Sequence, residues 1–237
     1  MAEAARRVVE LAEPTLVEVT GIMLEALPEG ALWWTDESLL IVADLHFEKG
    51  SSFARRGQFL PPYDTAETLA RLARLIDRLA PKTVIALGDS FHDTGGASRM
   101  SDADREVLAR MQQGRTWMWI AGNHDPAPHD DLDGDCQGSL AIGRLMFRHE
   151  PSSGQASGEI AGHLHPAARV AALGRTVRRR CFVGDGDRLI VPAFGAYAGG
   201  LNILDQAYDG LFCQPLQAFV LGKDRVYAVR RSGLRRD

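Results

Sequence analysis

An α/β sandwich built around a mixed β-sheet is the fold class that the sequence predicts. Three observations predict it. Strand-like and helix-like segments alternate through the first half of the chain, short strand-like segments with glycine-containing turns follow, and polar residues collect where the strands end. No internal repeat or low-complexity linker interrupts the 237 residues, so residues 1–237 are expected to form one domain. A chain of that length buries roughly 70–75% of its surface in one core.

Residues 38–43 (SLLIVA) are a short apolar run ending at Asp44, as suits a strand buried on both faces. Residues 64–79 place Leu69, Leu72, Leu75, Ile76 and Leu79 at helical spacing. Arg71, Arg74 and Arg78 read as the solvated face of that helix, which Pro61-Pro62 precedes and Pro81 stops. Residues 83–87 (TVIAL) form a second buried strand ending at Gly88-Asp89. Residues 101–111 form a second helix, with Ser101 or Asp102 as its N-cap. Residues 116–121 (TWMWIA) are a third strand, ending at Gly122-Asn123, and residues 130–138 (DDLDGDCQG) read as a solvated loop. Segments 140–149, 159–163, 176–183 and 188–191 read as successive short strands, and 218–230 as one or two more. Trp33, Trp34, Trp117 and Trp119 are expected in the core.

A content of 45% hydrophobic and 24% charged residues, with 24 Gly and 11 Pro, excludes collagen-like, disordered and coiled-coil classes. No apolar run approaches the ~18 residues of a membrane span. Residues 1–10, with Glu3, Arg6, Arg7 and Glu10, lack the apolar run of a signal peptide. Cys136, Cys181 and Cys213 are odd in number, share no metal-finger spacing and read as free thiols. The expectation is a cytoplasmic protein with no membrane partner. The net charge of −4 counts only the protein, and two divalent cations would cancel it. It excludes a broadly basic nucleic-acid surface and leaves room for a metal-centred contact.

The strand ends carry the chemistry. They read Asp44-Leu45-His46, then Gly88-Asp89-Ser90-Phe91-His92-Asp93, Gly122-Asn123-His124-Asp125, Phe147-Arg148-His149 and Gly162-His163-Leu164-His165. Six of the seven histidines fall in these clusters, leaving only His129. Ligands of open α/β sheets bind at such carboxyl ends. Mixed carboxylate and imidazole suit manganese, iron or zinc, whereas magnesium prefers more oxygen. Asp44-x-His46 and His163-x-His165 put two ligands on one side of an extended segment or bend. One carboxylate, here Asp89, can bridge two cations ~3.5–4 Å apart. The glycines before Asp89, Asn123 and His163 are expected to permit sharp turns. Taken singly, most of these pieces are ordinary turn composition. Together, in this order and each after a strand, they read as a dinuclear metal site.

This order, D-x-H, G-D, G-N-H-D, a lone H and G-H-x-H, resembles that of the calcineurin-like metallophosphoesterase superfamily. The resemblance implies a four-layer sandwich, two mixed β-sheets flanked by helices. It gives the first metal Asp44, His46, Asp89 and His165, and the second Asp89, Asn123, His149 and His163. It also implies in-line attack of a metal-bridging hydroxide on a phosphodiester, with His124 assisting the leaving group and Asp125 as a turn residue. One slot departs from the phosphatase pattern. An Asp three residues after the bridging carboxylate is replaced by His92, followed by Asp93. G-D-x-F-H is instead similar to double-strand-break repair nucleases of the superfamily, which implies a site role for His92.

Segments 44–50 (DLHFEKG), 53–57 (FARRG), 60–65 (LPPYDT) and 191–202 (VPAFGAYAGGLN) resemble one bacterial subgroup, the ligase-associated DNA-damage-response endonucleases. That resemblance implies a manganese-dependent single-strand DNA endonuclease of DNA repair, with iron or zinc as other candidate metals. It also implies an Lhr-type helicase, an ATP-dependent DNA ligase and an exonuclease as pathway partners. A small-molecule phosphodiesterase or phosphatase, acting on a nucleotide or dinucleoside polyphosphate, is the alternative, and a non-catalytic scaffold a third.

Single-strand binders join a basic groove to aromatic platforms. Lys49, Arg55 and Arg56, with Phe47 and Phe53, follow the first motif, and Arg148 flanks a ligand. These four cations are the expected substrate contacts. Further candidates are Arg175, the run Arg178 to Arg180, and Phe194 and Tyr197 of the glycine-rich loop. Arg230, Arg231, Arg235 and Arg236 read as a disordered tail or an electrostatic arm.

Overall fold

Apolar residues alternating with outward-facing ones create the first hairpin. Val17, Val19, Leu24 and Ala26 point inward while Leu16 and Met23 face solvent, pairing β1 (Thr15–Val19) antiparallel to β2 (Ile22–Ala26) across Thr20-Gly21. Both turn residues have positive φ, 48° and 82°, as a tight two-residue hairpin requires. The sheet continues through β3 (Leu32–Trp34), β4 (Leu39–Ala43), β5 (Thr83–Leu87), β6 (Thr116–Ile120) and β7 (Asp135–Gln137), in that spatial order. β4 to β7 run parallel, with Ile41 opposite Ile85 and Ile85 opposite Met118. The computed structural model describes residues 13–126, 132–172 and 175–237. Residues 1–10, His129 and Asp130 and Asp131 of the expected loop lie outside the described residues.

The second sheet contains β8 (Ser139–Ile142), β9 (Leu145–Arg148), β10 (Glu159–Ala161), β11 (Pro166–Ala172), β12 (Arg175–Gly184), β13 (Arg188–Ile190) and β14 (Leu201–Asn202). Along its main path the order is β14-β11-β12-β13-β10-β9-β8. β15 (Gln217–Leu221) pairs with β12 and with β16 (Val226–Arg230), and β17 (Leu234–Arg235) pairs with β11. Both sheets are mixed, as expected.

The period-two alternation of β4 and β5 sorts residues into two cores. Leu39, Ile41, Ala43, Ile85 and Leu87 meet Phe147, Ile160, Phe182, Leu189 and Val191 between the sheets. Leu40, Val42, Val84 and Ala86, with Trp117 and Trp119 of β6, face the helices α2 (Asp64–Leu79) and α4 (Asp102–Gln112). All four tryptophans are buried. Two short helices, α1 (Lys49–Arg55) and α3 (Gly96–Arg99), lie beside the strand ends. Segment 203–216, with one 3-10 turn, covers the outer face of the second sheet through Ile203, Tyr208 and Leu216. α-Helices thus flank the first sheet, and an irregular segment covers the second.

Several local expectations change. Residues 135–137 are not loop but the edge strand β7, and with a single neighbour it needs no apolar run. Segment 140–149 is a hairpin turned at Gly143 (φ 58°). Ser101, not Asp102, caps α4 by accepting from the Asp104 N–H. Arg71 leaves the solvated face: its guanidinium donates to the Phe194 carbonyl and lies 4.4 Å over the Phe194 ring. The C-terminal arginines form neither a disordered tail nor a free arm, because β17 docks on β11 and Asn202 Nδ2 donates to the Arg235 carbonyl at 3.0 Å. The three cysteines are unpaired. Among the described residues no helix is long and apolar enough to cross a membrane.

One buried ion pair ties these layers together. Arg188, 1% exposed, donates from Nε to Glu159 Oε1 at 2.7 Å, and its other nitrogens reach the Ser152 carbonyl at 2.7 Å and the Leu211 carbonyl. It therefore joins β10, β13, the loop after β9 and the covering segment. Arg188→Ala strips Glu159 of its buried partner and is expected to cost about 3–5 kcal/mol, read as a lower urea midpoint at unchanged slope.

Candidate metal centre

The chain leaves β4 and β5 in a backbone conformation that non-glycine residues resist. Asp44, His46 and Asp89 have φ of 52°, 46° and 46°, and His163 and His165, after β10, have 68° and 47°. Each such residue costs on the order of 1–3 kcal/mol unless its surroundings hold it. Backbone hydrogen bonds between the loops do so. Asp44 N–H donates to the Gly88 carbonyl at 3.2 Å, His46 N–H to Asp89 at 2.9 Å and Phe47 N–H to Ser90 at 2.8 Å. In D-x-H and H-x-H, alternate left-handed residues, rather than an extended strand, turn both ligands to one side.

Glycine enters differently from expectation. Gly88 has φ 71°, as a sharp turn requires. Gly122 and Gly162 do not adopt positive φ. They are glycines because other segments of the chain press on them. A Cβ on Gly122 would stand 2.1 Å from Asp89 N and 2.3 Å from Asp89 Oδ1, and one on Gly162 would stand 2.8 Å from Asp44 Oδ2.

Two donor triads result among the described residues. Asp44, His46 and His165 form one, Asp89, His149 and His163 the other, with the donor atoms of each within 4.8 Å of one another. In the first, His46 Nε2 lies 3.1 Å from His165 Nε2, which lies 3.4 Å from Asp44 Oδ1. In the second, His149 Nε2 lies 3.1 Å from His163 Nδ1, 3.4 Å from Asp89 Oδ1 and 2.9 Å from Asn123 Oδ1. Asn123, expected as a further ligand, thus turns its amide oxygen toward this triad. His149 Nδ1 donates to the Leu87 carbonyl at 3.0 Å, which leaves Nε2 to face the other donors. Lone pairs converging this closely repel one another unless a proton or a cation stands among them, so the donor set fits two divalent cations.

The protonation pattern agrees. Burial, helped by His165, pushes the His46 imidazole down to about 2. Burial and His149 also push His163 down. Burial alone would lower His149, but the hydrogen bond to Asp89 and the charges of Asp44 and Asp89 outweigh it and raise it to about 9. Burial raises Asp89, but His149 and the His124 N–H bring it down to about 2, and His46 adds to that fall. His149 is thus the imidazole of the second triad whose surroundings favour positive charge, where a cation would stand.

Asp44 and Asp89 are anchored from behind by main-chain donors. His163 N–H reaches Asp44 Oδ2 at 3.0 Å, and His124 N–H reaches Asp89 Oδ1 at 2.9 Å. Asp125, expected as a turn residue, accepts from the Phe91 N–H at 3.0 Å and so links two of the loops. His124 Nδ1 sits 2.8 Å from the main-chain carbonyl of His92, while its Nε2 lies 3.9 Å from Asp89 Oδ2. The His92 and His124 rings stack at 5.2 Å, and His92 Nδ1 lies 3.5 Å from His46 Nδ1. Burial and the charge of Lys49 push His92 down to about 4, so it is neutral at pH 7. Sequence reasoning finds all these side chains but not the carbonyls of His92 and Leu87, since a backbone atom carries no residue signature.

The expected substrate contacts separate. Arg148 lines a cleft with Asn123 and His149 and pairs with Glu159 at 3.4 Å. Arg55 and Arg56 line a second depression, beside Asp93. Lys49 turns its ammonium to the Tyr197 carbonyl at 3.0 Å and to the Phe53 ring at 5.9 Å. Arg178 and Arg179 are exposed, whereas Arg180 turns inward to the Ala193 carbonyl at 2.6 Å. Phe47 and Phe194 are fully buried, so neither is a stacking platform.

Histidines and carboxylates paired at the ends of a two-sheet sandwich define the class, a metallophosphoesterase. Residues 38–180 match the family model for calcineurin-like phosphoesterases, and the chain belongs to that family. Its structure is similar to that of the Pseudomonas putida nuclease MPE, at 27% identity and a TM-score of 0.72, over 92% of this chain and 100% of that one. A second structure, Yfce, a phosphoesterase from E. coli, aligns at 13% identity and a TM-score of 0.42, over 81% of this chain and 98% of that one. No curated protein matches the sequence.

Two predictions follow from this geometry. Gly122→Ala forces Asp89 to shift and is expected to lower affinity for divalent cations about 10–100-fold, measured by calorimetric titration. Asp93, outside the two triads, is held by Arg99 through two contacts of 2.9 Å. Burial pushes its carboxyl up, but bonds from Arg99, Ser52 and the Gly95 N–H bring it down to about 2. A depressed acid contributes stability above its unfolded value near 4 and loses it as pH falls through the folded value. Asp93→Asn should therefore destabilise at pH 7, with the gap to wild type closing from pH 4 toward 2 in thermal melts.

Proposed function

We propose that this chain is a manganese-dependent phosphodiesterase that cuts single-stranded DNA in repair. Asp44, His46, Asp89 and His165 would hold one divalent cation, and Asp89, Asn123, His149 and His163 the other. The observation that carries the reading is the pair of convergent donor triads, supported by the likeness to a nuclease across that protein's whole chain. Imidazole mixed with carboxylate and one amide oxygen suits manganese better than magnesium. When bound, such cations neutralise a phosphodiester and acidify water.

The chain's own residues do the rest. Asp44 and Asp89, anchored by the His163 and His124 N–H groups, fix the ligand positions. His124 donates from Nδ1 to the His92 carbonyl and turns Nε2 toward the substrate, where its protonated form gives a proton to the leaving oxygen. His92 stacks on that ring and presents a second imidazole to the diester. Arg148 meets a phosphate at one side of the centre, and Lys49, Arg55 and Arg56 meet the strand at the other. The sequence resemblance supports an Lhr-type helicase, an ATP-dependent DNA ligase and an exonuclease as pathway partners, and the cytoplasm as the compartment.

The test compares the manganese-loaded protein on circular single-stranded DNA, duplex DNA, a nitrophenyl phosphodiester and a nitrophenyl phosphomonoester. Nicking of the single strand with diester hydrolysis is expected. Monoester turnover without any DNA cleavage overturns the reading. His124→Ala should keep its bound metal and lose about 10²–10⁴-fold in DNA cleavage, whereas Asp89→Asn should lose metal and activity together.

A further inference from the structure

Among the described residues, the two most exposed large apolar side chains stand in the same loop. Phe59 is 86% exposed and Tyr63 67%, both between α1 and α2. Large aromatics held in water without a packing role point to a partner surface. Pro61-Pro62 lies between them, and the Tyr63 N–H closes onto the Pro61 carbonyl at 2.9 Å, so the loop presents them with little conformational freedom to lose.

Two exposed arginines stand on the α1 side of the loop. Arg55 and Arg56 are exposed at the end of α1, four and three residues before Phe59. Of the nearby carboxylates, Asp64 accepts from the Gly50 N–H at 3.0 Å, Glu48 bonds Thr65 at 2.9 Å and Asp93 is held by Arg99, while Glu67 is exposed in the first turn of α2, on the side of Tyr63 away from the arginines in sequence. The loop also connects to the metal centre. α1 starts three residues after His46, the Phe53 ring lies 5.5 Å from the His92 ring, and His92 lies against His46. A helix of this length spans about 10 Å.

We propose that segment 53–63 is a platform for single-stranded nucleic acid, on which Phe59 and Tyr63 stack unpaired bases while Arg55 and Arg56 hold the phosphates, leading the strand to the metal centre. This rests on the nuclease reading and names its substrate surface. Exposed aromatics next to arginines are the combination that single-strand binders use, and duplex DNA, with its bases already stacked, offers such a surface no partner.

The experiment measures kcat/KM of the manganese enzyme on a single-stranded oligonucleotide and on a nitrophenyl phosphodiester, and follows the ratio of the two. Phe59→Ala and Tyr63→Ala should each lower that ratio about fivefold or more, mainly through KM, and Phe59→Trp should retain it. Leu16→Ala, which trims an exposed apolar side chain on β1, is the control expected to leave the ratio unchanged. An unaltered ratio in both aromatic variants overturns the platform, and so does an equal loss on duplex DNA. If wild-type protein hydrolyses the small diester but cuts no nucleic acid, the nuclease reading itself fails. Wild-type cleavage with unaffected variants removes only the platform.

Discussion

Asp44 is the point at which the two sheets are joined. Its side chain is fully buried, and its two carboxylate oxygens accept from the His163 N–H at the end of β10. Its own N–H reaches Gly88 after β5, and its carbonyl accepts from Gly195 after β13 at 3.1 Å. One residue thus fixes loops from both sheets, and the bridge between Ala43 and Ala193 continues the contact. A buried carboxylate without such partners costs several kcal/mol. The convergence of strand ends is what makes the charge tolerable, and the charge in turn requires the strand ends to converge.

The same constraint explains the strained backbone. Ligands from two sheets have to reach common points within a few ångströms, and a chain leaving a strand in extended conformation carries successive side chains to opposite sides. Left-handed residues at Asp44, His46, His163 and His165, each pair separated by a leucine, reverse that and turn alternate side chains inward. The intervening Leu45 is buried in the helix-side core, so packing pays for part of the strain. Gly122 and Gly162 complete the arrangement by letting backbone pass against Asp89 and Asp44 where a methyl group has no room.

How much of this was legible in the sequence follows from what each feature is made of. β4, β5, β6, α2 and α4 are written in unbroken apolar runs or helical spacing, and the ligand side chains in residue types that only metal chemistry groups together. The β1–β2 hairpin escapes because outward-facing Leu16 and Met23 blur its alternation, and β7 because an edge strand needs few apolar residues. Arg71 escapes because helical spacing places it off the apolar stripe, and no local pattern shows that the Phe194 loop covers it. The role of Gly122 is equally hidden, since a glycine required by a neighbour's approach looks like one required by a turn.

His92 and Asp93 show how one substitution redistributes charge around a phosphoester site. In the phosphatase pattern a carboxylate in the slot of His92 would orient the neighbouring histidine. Here the main-chain carbonyl of His92 does so, fixing the His124 tautomer without adding a negative charge. A unit charge ~6 Å from a substrate phosphate repels it by about 3 kcal/mol at an effective dielectric of 20. Beyond the triad carboxylates Asp44 and Asp89, the acid next to His92 is Asp93, which Arg99 covers through two contacts of 2.9 Å. The protein keeps its net charge of −4, yet beside the paired imidazoles of His92 and His124 the carboxylates are Asp89, a candidate metal ligand, and Asp93, paired with Arg99. Where negative charge sits relative to the cleft, rather than its sum over the chain, therefore sets how readily this centre admits an anion.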